Sequence, residues 1–221
     1  MKRALLSLIT LSALFLSVSL HAQIYMTSAV SNTDFGIKAG GNFQNISGAV
    51  FNSSYSPGYV AGLYVGKRWK KVALHLEALA SSGSYTTLKP AVAPLSEGQI
   101  KQLKDTTSKG DFSSTYISVP LVLEIKLYKK LFLELGPQYN YMLSITDNNG
   151  AYTKAFKKDN LFKTGEACFD IGINADIARK FNLGLRYVVG LTNVNNDKYF
   201  HEYDSWTENS IQLALSYKIR K

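Results

Sequence analysis

The segment from Ile211 to Ile219 alternates along its whole length. Ile211, Leu213, Leu215, Tyr217 and Ile219 are apolar or aromatic, and Gln212, Ala214, Ser216 and Lys218 separate them. Successive side chains of a strand point to opposite faces, so this pattern predicts a strand with one greasy face and one small or polar face. Seven earlier segments read the same way, at about 33–46, 58–69, 72–84, 113–127, 131–145, 166–178 and 181–191. In the first, Phe35, Ile37, Ala39 and Phe43 oppose Gly36, Lys38, Gly40 and Asn42. In the fourth, Ile117, Val119, Leu121, Leu123 and Ile125 interleave with Ser118, Pro120, Val122, Glu124 and Lys126. Pro120 and Pro137 fall inside predicted strands, where a missing donor weakens the ladder; bulges are the expected remedy.

The connections alternate in length. Three are tight and basic, "KRWKK" at 67–71, "YKK" at 128–130 and "ARK" at 178–180. Four are long and polar, at about 47–57, 85–112, 146–165 and 192–209. Outer-membrane barrels show this asymmetry, with short periplasmic turns and longer outside loops. It places both termini in the periplasm. Trp69, Tyr128 and Phe181 lie beside the short turns, and Tyr59, Tyr85, Tyr116, Tyr141 and Trp206 lie near the other rim. Aromatics with an apolar body and a polar tip favour interfaces, so these two sets read as aromatic girdles.

The N-terminus supplies the compartment. Lys2 and Arg3 precede an apolar run from Ala4 to Leu20 that ends at "HAQ". That order describes a secretory signal peptide over residues 1–22, cleaved after Ala22, with the barrel domain over 23–221. A single transmembrane anchor is the alternative. Beyond it, no segment approaches the ~20 apolar residues of a spanning helix. A chain that crosses lipid with strands must close on itself, because a closed barrel leaves no backbone group unpaired. The expected fold is therefore all-β, an eight-stranded antiparallel up-and-down transmembrane barrel.

Composition narrows the function classes. The formal charge of +9 falls to +7 without Lys2 and Arg3, and the lysines gather at turns and strand ends. Such a distribution suits head groups and solvent rather than a nucleic-acid stripe. Cys168 is the single cysteine. It excludes an intramolecular disulfide and is expected to pack as a small hydrophobe. No cluster with metal-ligand spacing is found, and no cofactor is expected.

Several stretches resemble the PorT-like outer-membrane β-barrel family, common in Bacteroidetes. They are "FGIKAGGNFQNI", "GYVAGLYVGKRW", "STYISVPLVLEIKLYKKLFLELGPQYNYML", "FDIGINADIARKFNLGLRYVVGLTNV" and "NSIQLALSYKI". The "YISVPL" strand and the "GP" of strand five are the more specific elements. The resemblance implies an eight-stranded barrel in the outer membrane, and it carries no shared catalytic residues. The basic "KIRK" end departs from the aromatic finish of many such barrels. Some relatives imply an accessory role in secretion or surface assembly, so outer-membrane lipid and other envelope or secretion proteins are the expected partners of a monomeric barrel.

The face opposite the leucines holds Lys38, His75, Glu77, Glu124, Lys126, Glu134, Asp170, Asp176 and Arg186. An eight-stranded barrel is only wide enough to be filled by side chains, and buried charges must pair. An interior ion-pair network is expected, with Arg186 and Lys38 facing Glu77, Glu124 or Glu134. A filled interior disfavours a diffusion porin. No enzymatic activity is expected. An exported lipocalin-like barrel would instead carry its apolar face inward. A lipid-modifying enzyme would need a constellation such as His201, Asp204 and Ser205 in the last loop. In the loop at 85–112, Ser96 to Leu103 reads as a short helix with Ser96 as N-cap.

Overall fold

The computed structural model describes residues 33–48, 54–86, 111–148, 162–196 and 205–220. They form eight strands: β1 Thr33–Ser47, β2 Ser56–Arg68, β3 Val72–Thr86, β4 Asp111–Tyr128, β5 Leu131–Asp147, β6 Gly165–Asp176, β7 Phe181–Gly190 and β8 Thr207–Arg220. Each pairs antiparallel with the next, and β8 pairs back onto β1 to close the barrel. Ile37 faces Tyr217, Ala39 faces Leu215 and Phe43 faces Ile211 across the seam. No helix among the described residues is long and apolar enough to cross a membrane.

Alternation decides the two faces. Along β3, every second residue from Ala73 to Tyr85 is buried, while Val72, Leu74 and Leu76 are exposed. The same parity runs round the wall, exposing Ile37, Leu63, Leu121, Ile171, Leu185 and Leu215 in one continuous apolar belt. Glu, Asp, Asn, Lys and Arg occupy the inside instead. This polarity is inverted relative to a water-soluble protein and matches a barrel whose solvent is lipid. Small residues inside make room for rings. Gly36 lies opposite Tyr64 and Gly66 opposite His75; a Cβ at either glycine would overlap the facing ring.

Both prolines sit in unshifted ladder. The β4–β5 register is the same on either side of Pro120, and Pro137 pairs in step with Phe169. Shifts fall instead at Thr115/Tyr116 and Lys126/Tyr128. Thus no bulge absorbs the prolines. Pro137 points outward, and the β4–β5 pairing lapses between Pro120–Gln138 and Leu123–Leu135 without a change of register, so the missing donor is absorbed by a local gap in the ladder.

The strands run further at the long-loop end than alternating hydrophobicity predicts: β8 starts at Thr207 and β4 at Asp111. There both faces are polar or aromatic, because the wall has risen above the apolar belt. The girdle at that end is also smaller than expected. Tyr59 and Tyr141 point outward, as do Trp69, Tyr128 and Phe181 at the short-turn end. Tyr85, Tyr116 and Trp206, however, are 2–3 % exposed and belong to the interior.

Candidate functional site

In the barrel interior the polar side chains of the described residues converge in two clusters. The lower one, toward the short turns, is built round Arg186 of β7, which is 3 % exposed. Its Nη1 and Nη2 donate to Glu77 of β3 at 2.9 and 3.1 Å. Nε and Nη2 donate to Glu134 of β5 at 3.2 and 3.1 Å. Nη1 lies 3.3 Å from Asp170 of β6. Lys38 of β1 adds a 2.5 Å contact to Glu77. One planar guanidinium thus ties β7 to three other strands, with two-pronged contacts to Glu77 and Glu134 that its fork of five donors allows.

Beside it, Glu124 of β4 accepts from Arg68 at 2.7 Å and from Asn174 at 3.0 Å, and lies 3.2 Å from His75 Nδ1. Arg68 also reaches Asp34 at 3.3 Å and stacks over Phe132, 4.7 Å from its centroid. A cavity bordered by Lys38, Arg68, Glu77 and Asn182 measures about 10 Å³, enough for a single water.

Of the nine residues expected inside, Lys38, His75, Glu77, Glu124, Glu134, Asp170 and Arg186 are buried together. Asp176 sits lower, half-buried, bonded to Asn182 and 3.5 Å from Lys218. Lys126 is a correction. It is exposed at the short-turn mouth, because the β4 ladder shifts at Lys126/Tyr128 and the wall ends there. Arg68 and Asp34 complete the lower cluster although neither was expected in it. Their parity, shared with Tyr64 and with Lys38, was the available signal.

The upper cluster was not anticipated. Glu208 of β8 accepts from Tyr116 at 2.6 Å and from Gln44 at 2.8 Å. Tyr85 and Tyr116 share a hydrogen bond of 2.9 Å. Glu166 of β6 accepts from the Glu208 backbone N–H at 3.2 Å, from Asn140 at 3.3 Å and from the Cys168 thiol at 3.3 Å. Cys168 therefore lies in polar surroundings rather than in an apolar layer. Among the described residues no basic side chain contacts Glu166 or Glu208. Gly40, which pairs with Val60 and Ala214, sits between the clusters, and Val60, Leu79 and Ala214 form a small apolar patch at that level. Above, Phe162 packs on Phe112 and Trp206 at 5.9 and 5.4 Å between centroids.

No group of metal-ligating side chains is found among the described residues. His201, Asp204 and the segment 96–103 lie outside the described residues, as do residues 1–22; Ser205 is exposed at the start of the approach to β8.

The fold resembles solved outer-membrane barrels. Neisserial surface protein A is 11 % identical with a TM-score of 0.49, covering 84 % of this chain and 97 % of that one. Ail of Yersinia pestis is 10 % identical with a TM-score of 0.45, covering 85 % and 99 %. OprG of Pseudomonas aeruginosa is 10 % identical with a TM-score of 0.49, covering 86 % and 97 %. No curated protein matches. The family model described as outer membrane protein beta-barrel domain matches residues 21–196. An inverted-polarity barrel of eight strands and a family match over most of its length lead to one conclusion: the chain belongs to the outer membrane protein beta-barrel domain family.

Proposed function

We propose that this chain is an outer-membrane barrel closed to solute, acting as a structural, surface-interaction or secretion-accessory component, with its short turns and both termini in the periplasm. The observation that carries this reading is the Arg186 cluster. Seven charged or imidazole side chains from six strands pack together in the lower lumen, and the cavity they border holds about 10 Å³. Opening a path would require pulling apart buried ion pairs and leaving their charges uncompensated, which is strongly unfavourable. The inward charges and outward leucines oppose the polarity of a lipocalin-like binder. The "YISVPL" and "GP" elements support the finer placement among PorT-like proteins.

Liposomes carrying the purified protein are expected to swell in an isosmotic sugar no faster than protein-free liposomes. Rapid swelling overturns the closed-barrel reading. For orientation, a tag in the connection at 87–110 should be cleaved by protease added to whole cells, whereas one at Lys129–Lys130 should survive until the outer membrane is breached.

A further inference from the structure

The short-turn mouth holds a feature that the filled lumen leaves unexplained. A cavity of about 360 Å³ opens there, lined by residues from all three short turns and from the ends of β1, β2, β3, β4, β5, β6 and β8. Eight of its side chains are basic and two, Asp34 and Asp176, are acidic. Both acids are already engaged, Asp34 by Arg68 and Asp176 by Lys218. Of the other six, Lys71, Lys126, Lys130 and Arg179 converge from different turns and strands. Among the described residues none of the six is paired with a carboxylate. Like charges gathered in a concave wall focus a strong positive potential on the space between them.

We infer that this mouth is a docking cup for an acidic polypeptide segment of another envelope protein. Its occupant must be anionic, since the uncompensated charge is all of one sign. It must also arrive along the axis. Lys67 and Lys180 stand on the outer side, over Trp69 and Tyr217 at 5.9 and 5.5 Å from their centroids, where lipid head groups lie. Lys129 does the same over Tyr128 at 5.2 Å, whereas among the described residues Lys71, Lys126, Lys130 and Arg179 stand over no outward ring. The cup's volume is at the small end of ligand pockets, which span about 300–1,000 Å³. That suits a few side chains of an extended segment and is too small for a folded domain. Phe132 adds inward apolar surface among the cations, and the outward-turned Trp69 and Val72 border the rim, which suits a polypeptide better than inorganic phosphate.

The periplasmic source of the partner rests on the orientation proposed above; the binding itself does not. The test uses full-length barrel in neutral detergent and a fluorescent octaglutamate peptide, with octalysine as control. Octaglutamate is expected to bind and octalysine not to bind. Binding should weaken as salt rises from roughly 0.01 to 0.15 M, where the screening length falls from about 30 to about 8 Å. Combined Lys71→Glu, Lys126→Glu and Arg179→Glu should weaken binding at least about tenfold, a change of about 1.4 kcal/mol. Lys67→Glu with Lys180→Glu should leave it unchanged. Heat-modifiable gel mobility reports folding of each variant, and the Gln counterparts replace any Glu variant that does not fold. Absence of octaglutamate binding at low salt overturns the inference, as does equal weakening by the outer pair. So does a mouth variant that loses co-purifying phosphatidylglycerol while its peptide affinity is unchanged, since the occupant is then lipid. Swelling and tag cleavage test the closed barrel and its orientation separately.

Discussion

Arg186 concentrates the chemistry of the interior in one side chain. Its five donors meet Glu77, Glu134 and Asp170, and Glu77 is shared with Lys38. Each carboxylate is buried, so each depends on that neighbour for compensation. Arg186→Met removes the cation and leaves three carboxylates facing one another. The expected loss is about 3–5 kcal/mol, read as a lower urea midpoint for unfolding in micelles. Arg186→Lys should recover only part of it, because a compact ammonium with three donors replaces a fork that makes two-pronged contacts with Glu77 and Glu134 and also reaches Asp170. No change for Arg186→Met would show that the cluster contributes nothing to stability.

Individual strands carry a different kind of information. On β8, Leu215 is 42 % exposed at the middle of the apolar belt, while Gln212 and Ser216 are buried inside. Leu215→Arg places a charge at mid-bilayer and should cost about 2–4 kcal/mol, whereas Ile219→Arg, near the short-turn rim, should cost about 0–1. Folding yield into lipid vesicles at graded urea measures both. Equal costs would mean that the belt is not centred where Leu215 lies. Parity was legible residue by residue on every strand, because lipid demands apolar side chains on one face only. Strand ends were less legible. Above the belt the outer face meets water, so Tyr85, Tyr116 and Glu208 continue the wall without any hydrophobic alternation to mark it.

At the scale of the molecule the seam between β1 and β8 matters most. It joins the two ends of the wall through pairs from Phe35–Arg220 to Ser47–Thr207, with one register shift between Phe35 and Gly36. Without β8, β1 and β7 both present open edges, which lipid does not tolerate. A chain ending at residue 206 should show no heat-modifiable form and should aggregate on refolding. A folded, shifted band from that truncation would mean that the remaining strands close on their own.

The chain's own pattern determined the number of strands, their order, and which residues face lipid, because a strand's period of two and the length of its connections are local properties. It also announced that Lys38, Glu77, Glu134, Asp170 and Arg186 would lie inside. Partners could not be read this way. Arg186 and Glu77 are 109 positions apart, and only closure with a particular stagger sets which inward residues reach the same height. That stagger joined Arg68 to Glu124, set Tyr116 against Glu208, and left Lys126 outside among the cations of the short-turn mouth. Local sequence decides the face a side chain takes; the geometry of the closed wall decides what it meets there.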